Sequence, residues 1–168
     1  MADPKFPWAL AANIAIGRKN ERRLTGRALL YWWALKGDLP FPRHSSLPLD
    51  SEDVRKGEGL WPNVFTVTVG PPIDACTFVY CGSAVAEICK VPPEGRLASQ
   101  CLPSPVWDKL RYTFETSATT MKPLTASGRF VIEGTNIALY RSIVLPLSED
   151  GSSIDHLMGA LNFKFSAL

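Results

Sequence analysis

Hydrophobic and polar positions change their period several times along the chain, and each change marks an element. From Asn20 to Lys36 the apolar residues Leu24, Ala28, Tyr31, Trp32 and Leu35 recur at helical spacing, and Gly37 supplies a stop. That pattern predicts an amphipathic helix with an aromatic C-terminal end. Residues 1–19 carry no comparable period and are expected to form a mobile arm or a short extra helix, leaving 20–168 as one domain. Pro40, Pro42 and Pro48 among many charges mark Asp38 to Gly59 as a traversing loop, with a helical turn expected near Asp50 to Lys56. From Pro105 to Met121 the helical period returns along Val106, Leu110, Phe114, Ser117 and Met121, with proline in the first turn and Pro123 beyond the end.

Strand patterns flank that long helix. Asn63 to Val69 alternates Val64, Thr66 and Thr68 with Phe65, Val67 and Val69 before Gly70-Pro71-Pro72, and Ala75 to Cys81 follows as a second strand, so the two predict a hairpin. A short helix over Gly82 to Ile88 and a proline-punctuated connector over Val91 to Pro105 lead to the long helix. After it, Arg129 to Ile132, Ala138 to Leu147 and Ile154 to Phe165 read as three strands. The turns between them, Glu133 to Asn136 and Ser148 to Ser153, consist of residues that tolerate positive φ or bond their own backbone. Two strands, a helical middle and a closing antiparallel meander define an α+β fold with a five-stranded antiparallel sheet.

Composition narrows the class without choosing a partner. With 168 residues, 46% hydrophobic and 20% charged, the chain suits one globular core, and a net charge of +2 favours no particular ligand. Cys76, Cys81, Cys89 and Cys101 form no CxxC pair and have no nearby histidine, so no metal is expected and the thiols read as buried or spare. Cys76 and Cys81 lie an odd number of residues apart on one expected strand, which predicts opposite faces. No stretch is long enough to span a bilayer, and the apolar run Trp8 to Ile16 lacks a convincing cleavage site, so a cytoplasmic protein is expected.

Catalytic chemistry finds little footing. His44 sits in the proline-rich loop, and alternation along a strand predicts that Asp155 and His156 point apart. GxSxG, HExxH and a glycine-rich phosphate cradle are all missing from the sequence. The cluster Arg18, Lys19, Arg22, Arg23 and Arg27 reads as a solvated helix face, since Glu21 interrupts it and no aromatic residue is interleaved. The competing role for this cluster is a salt-sensitive contact with nucleic acid or an anionic membrane, both unlikely partners on this pattern.

Several local motifs sharpen the fold. Tyr31-Trp32-Trp33-Ala34-Leu35-Lys36-Gly37 followed by Pro40-Phe41-Pro42-Arg43, then Leu60-Trp61-Pro62-Asn63-Val64-Phe65, then Tyr80, Gly82 and Ala84, precede Leu145-Pro146-Leu147-Ser148-Glu149-Asp150-Gly151 with Ile154-Asp155 and Leu157-Met158-Gly159. Together, over about Leu29 to Leu161, they resemble the PAS domains, in particular the small single-domain PAS-like proteins of alphaproteobacteria. Trp61 stands where that family has a leucine, and the spacing around Gly82 is one residue shorter. The resemblance implies helices on one face of the sheet, a flanking N-terminal helix and a sensory or regulatory role, and it brings no active site.

In a PAS-like fold, residues between sheet and helices can line a mostly apolar ligand pocket. Phe78, Tyr80, Ala84, Ile88, Trp107, Tyr112, Tyr140 and Met158 are the candidates for its lining, with Phe78 and Tyr80 expected on one strand face. Which ligand or cofactor would fill it is unknown from the sequence. Leu29, Trp32 and Trp33 are the candidates for a homodimer or effector contact, because successive helical residues diverge by about 100° and one tryptophan can face outward. Gly159, expected mid-strand, predicts close packing by the N-terminal helix or a ligand. A non-catalytic sensory module binding a small apolar ligand or a signalling protein is the expected function. The alternatives are a small-ligand carrier, a nucleic-acid or membrane-surface regulator, and an enzyme of unrecognised type.

Overall fold

In a computed structural model, which describes residues 23–132 and 136–167, one antiparallel sheet organises the chain. The arm expected over 1–19, the first turn of the helix expected from Asn20, and the centre of the turn after Ile132 lie outside the described residues. The elements are α1 (Leu24–Lys36), α2 (Glu52–Lys56), β1 (Val64–Thr68), β2 (Phe78–Cys81), α3 (Ser83–Ala86), α4 (Ala98–Cys101), α5 (Ser104–Thr120), β3 (Leu124–Ile132), β4 (Asn136–Leu147) and β5 (His156–Ala167). Strand order is β2-β1-β5-β4-β3, so β5 returns to pair with β1 and joins the early hairpin to the closing meander. This is the five-stranded antiparallel α+β architecture that the resemblance implies.

Two apolar layers sandwich the sheet. On one side α5 lays Val106, Leu110 and Phe114 on Phe65, Val67, Val144, Leu157 and Leu161, together with Val85 from α3 and Ala98 from α4. On the other side α1 buries Ala28 and Trp32 over Ile143, Leu145, Leu147, Met158 and Ala160. Trp32 is 2% exposed, and its Nε1 donates to the Pro146 carbonyl at 2.8 Å. Truncating such a ring costs about 3–5 kcal/mol against about 1 kcal/mol for one hydrogen bond, so burial holds α1 in place and the bond sets its register. Pro146 lies past the start of β3, whose first pair is Leu124 with Val144, so its missing amide leaves no β3 partner unsatisfied.

Helix ends and turns follow local chemistry. Gly37, at φ 54°, ends α1 with its N–H on Trp33 O, and Met121, at φ 59°, ends α5 with its N–H on Ser117 O. Ser51 caps α2 by accepting from Val54 N. The β4–β5 turn is tied by the Asp150 carboxylate, which accepts from the amides of Ser152 and Ser153, with Gly151 at φ 79°.

Three expectations need correction. β3 begins at Leu124, five residues before Arg129, because pairing with β4 from Leu124–Val144 through Ser127–Arg141 overrides the weak strand preference of Ala126, Ser127 and Gly128. Gly128 faces Tyr140, whose ring would stand 3.1 Å from an added Cβ. β2 begins only at Phe78, since Ile73–Ala75 form a 3-10 turn. Finally, Gly159 makes room for the Phe65 ring on the α5 side, so its neighbour is neither the N-terminal helix nor a ligand.

Candidate functional site

A bulge in β2 decides which candidate residues meet. Thr66 pairs with Tyr80 and Val67 with Phe78, so Val79 is the extra residue and the alternation inverts across it. Phe78 therefore faces α5, whereas Tyr80 faces the α1 side, donating its OH to Trp61 O at 3.1 Å beside the Trp61 and Tyr31 rings. The same inversion carries Cys76 and Cys81 into one apolar layer, against the opposite faces predicted by their odd spacing.

Four of the eight expected pocket residues come together on the helix side: Phe78, Ile88, Trp107 and Tyr140. There they are part of a ring-filled interior. Phe65 lies 5.9 Å from Phe78 and 5.7 Å from Phe114, Trp107 lies 5.9 Å from Phe114, and Tyr140 stacks on Phe130 at 4.3 Å. Ala84 is half-buried on α3. Tyr112 is 72% exposed on α5, and Met158 is buried beneath α1, so neither faces that interior. Trp32 is likewise buried against the sheet, which removes it from any surface contact, while Leu29 and Trp33 are half-buried and Lys36 sits 5.3 Å over the Trp33 ring.

An open concavity lies on the other face. Beyond α1, the outward positions of β3, β4 and β5 form an open hollow of about 610 Å³ lined by Ser127, Arg129, Leu139, Arg141, Asn162 and Lys164. Register places Arg129, Leu139 and Lys164 in one row across the three strands, and Ser127, Arg141 and Asn162 in the next. Leu139 is 48% exposed between its two cationic neighbours. Among the described residues none of the three cations makes an ion pair. Of the expected pocket residues Tyr140 borders this hollow, with Gly128 and Phe163 beside it, while the cations themselves were not among the candidates. Their signal was present at alternate positions of three consecutive strands, but the strands' mutual register is needed to bring them together.

A polar clasp fastens the loop after α1 to the β4–β5 turn. Pro42 O accepts from Ser148 N at 3.0 Å, and the Glu149 carboxylate accepts from Ser45 N and Oγ at 2.8 and 2.9 Å. His44 stacks on His156 with centroids 4.1 Å apart, and its Nε2 shares a 3.1 Å hydrogen bond with Thr66 Oγ1. His156 Nδ1 lies 2.7 Å from Asp155 Oδ1, whose other oxygen accepts from Glu149 N. Asp155 thus does orient His156, contrary to the expectation from strand alternation, because it precedes β5 and alternation does not govern it. Thr66, the hydroxyl in reach of His44, is fully buried in the sheet, so this array binds segments together and offers no accessible nucleophile. Burial, then the neighbouring His156, lowers the His44 pKa from its usual value. Hydrogen bonds from Ser45 hold the Glu149 carboxyl below the ordinary carboxylate range.

Thiol chemistry is confined to the helix side. Burial pushes Cys76 up to about 12, while the mutual influence of the neighbouring Cys81 and Cys89 thiols raises the first and lowers the second. Cys89, half-buried, is the thiol most ready to ionise. No group of three or more potential metal ligands occurs among the described residues, and no helix among them is long and apolar enough to cross a membrane.

No protein-family model matches the chain, and no curated protein matches it. Among solved structures it is similar to a sensory box sensor histidine kinase from Vibrio cholerae, at 17% identity and TM-score 0.44 over 60% of this chain and 77% of that one. It is also similar to a fungal LOV domain photoreceptor, at 11% identity and TM-score 0.40 over 74% of this chain and 94% of that one. A third likeness, to an RNA-binding light-oxygen-voltage receptor, has 10% identity and TM-score 0.40 over 60% of this chain and 29% of the receptor.

Proposed function

We propose that the chain is a PAS-like regulatory module that acts by binding a protein partner, without catalysis, and that the outer face of its sheet is the working surface. The observation that carries this reading is the contrast between the two faces. The helix side is filled by rings in mutual contact, whereas half of the outer face is covered by α1 and the other half is an open, cation-lined hollow. The motifs that resemble those of small alphaproteobacterial PAS-like proteins support a regulatory role, and the burial of Thr66 beside His44 speaks against hydrolysis at the clasp. A partner that favours one placement of α1 and its clasped loop over another would shift the population between them.

Native mass spectrometry of freshly purified protein tests this. The expected result is the mass of the 18.5 kDa polypeptide or its multiples, without a retained small molecule. A persistent small-molecule adduct, unaffected by Arg141→Glu on the outer face, would replace the module with a ligand carrier.

A further inference from the structure

The chemistry of the outer hollow goes further than the existence of a binding face, and the inference rests on the binding-module reading above. Arg129 and Lys164 stand in register on either side of Leu139, at cross-strand separations of about 5 Å each between Cβ atoms. Arg141 projects from the same strand as Leu139 one outward position along, a step of about 7 Å, flanked by Ser127 and Asn162. The result is a triangle of cations around an exposed leucine, with Val131, 52% exposed, at the next outward position of β3. Among the described residues no acidic side chain lines the hollow.

A small inorganic anion would answer the charges and leave Leu139 in water. A purely apolar surface would cover Leu139 and strand the cations. The complementary occupant combines carboxylates with an apolar centre. Its shape is suggested by the neighbouring half of the same sheet face, which already receives a helix: α1 lays Ala28 and Trp32 on Ile143, Leu145 and Leu147. We propose that the hollow on β3, β4 and β5 docks an acidic amphipathic helix of a protein partner, with a hydrophobic residue seated on Leu139 and carboxylates reaching Arg129, Arg141 and Lys164.

Fluorescence anisotropy with a labelled helical peptide of Glu, Ala and Leu, its leucines on one face, tests the proposal on the full chain. Saturable binding is expected, weakening as salt is raised from about 50 mM to about 200 mM. Arg129→Glu combined with Lys164→Glu is expected to weaken it by about tenfold or more, as is Leu139→Ser to a smaller extent. Arg55→Glu on α2 should leave it unchanged. All of these side chains are exposed, so circular dichroism should match the parent in every variant. Equal affinity for the Lys counterpart of the peptide, unchanged affinity in the double variant, or no binding at all would overturn the proposal. So would tighter, Arg141-dependent binding to duplex DNA or phosphatidylserine vesicles than to the peptide. A small molecule retained in native mass spectrometry despite Arg141→Glu would refute the module reading itself, whereas a clean mass without peptide binding would refute only the acidic chemistry.

Discussion

Gly159 and Phe65 show how closely one position constrains another in this sheet. An added methyl at Gly159 would meet the Phe65 ring, which is itself held between Phe78 and Phe114. Overpacking of this kind costs about 1–3 kcal/mol, so Gly159→Ala should lower the urea midpoint with little change in slope. An unchanged midpoint would mean that Phe65 does not occupy that space. The thiols offer a second local test. Cys76, Cys81 and Cys101 are buried, and Cys89 alone is both partly accessible and lowered in pKa, by the neighbouring Cys81 thiol. Iodoacetamide at neutral pH should therefore alkylate Cys89 first, read by peptide mass mapping, with Cys76 modified only on unfolding. Early labelling of Cys76 would contradict its placement. That a glycine was needed at 159 was legible in the sequence. Its neighbour was not, because closeness across a sheet depends on register.

The clasp between the 38–51 loop and the β4–β5 turn joins α1's connection to the meander, and His44 makes it sensitive to acid. His44 keeps a lowered pKa in the folded protein, by burial and then by the adjacent His156, against an unfolded value near 6.5. Above that value both states are neutral at this group. As pH falls below it, the unfolded chain takes up a proton that the folded chain refuses, so stability declines until the folded pKa is passed. Glu149 acts in a lower window, below about 4.5, where protonation ends its bonds with Ser45. The Tm should therefore fall between about pH 6.5 and about pH 5.5, and His44→Phe, which retains a ring but cannot charge, should flatten that fall. An equally steep fall in the variant would assign the acid sensitivity elsewhere. β4, β5, α5 and the aromatic helix were readable from period and stop residues, whereas the first five residues of β3 were not. The bulge at Val79 was not, since alternation assumes an unbroken ladder, and it reversed the expected placing of Tyr80 relative to Phe78 and of Cys76 relative to Cys81.

Taken together, the elements divide the protein into a filled interior and a partly covered outer face. Sequence pattern led naturally to the interior, because aromatic residues between sheet and helices suggest a pocket, and Phe78, Trp107 and Tyr140 do meet there. They meet other rings, however, and the concavity lies where Arg129, Arg141 and Lys164 converge through strand pairing. Amide chemical-shift mapping, with the Glu, Ala and Leu peptide titrated into isotopically labelled protein, tests this division most directly. The expected shifts fall on Ser127 to Arg129, Leu139 to Arg141 and Asn162 to Lys164, with Phe65, Phe78 and Trp107 unmoved. Shifts centred on Phe78, Ile88 and Trp107, with the three cations silent, would contradict it and return the binding site to the helix side.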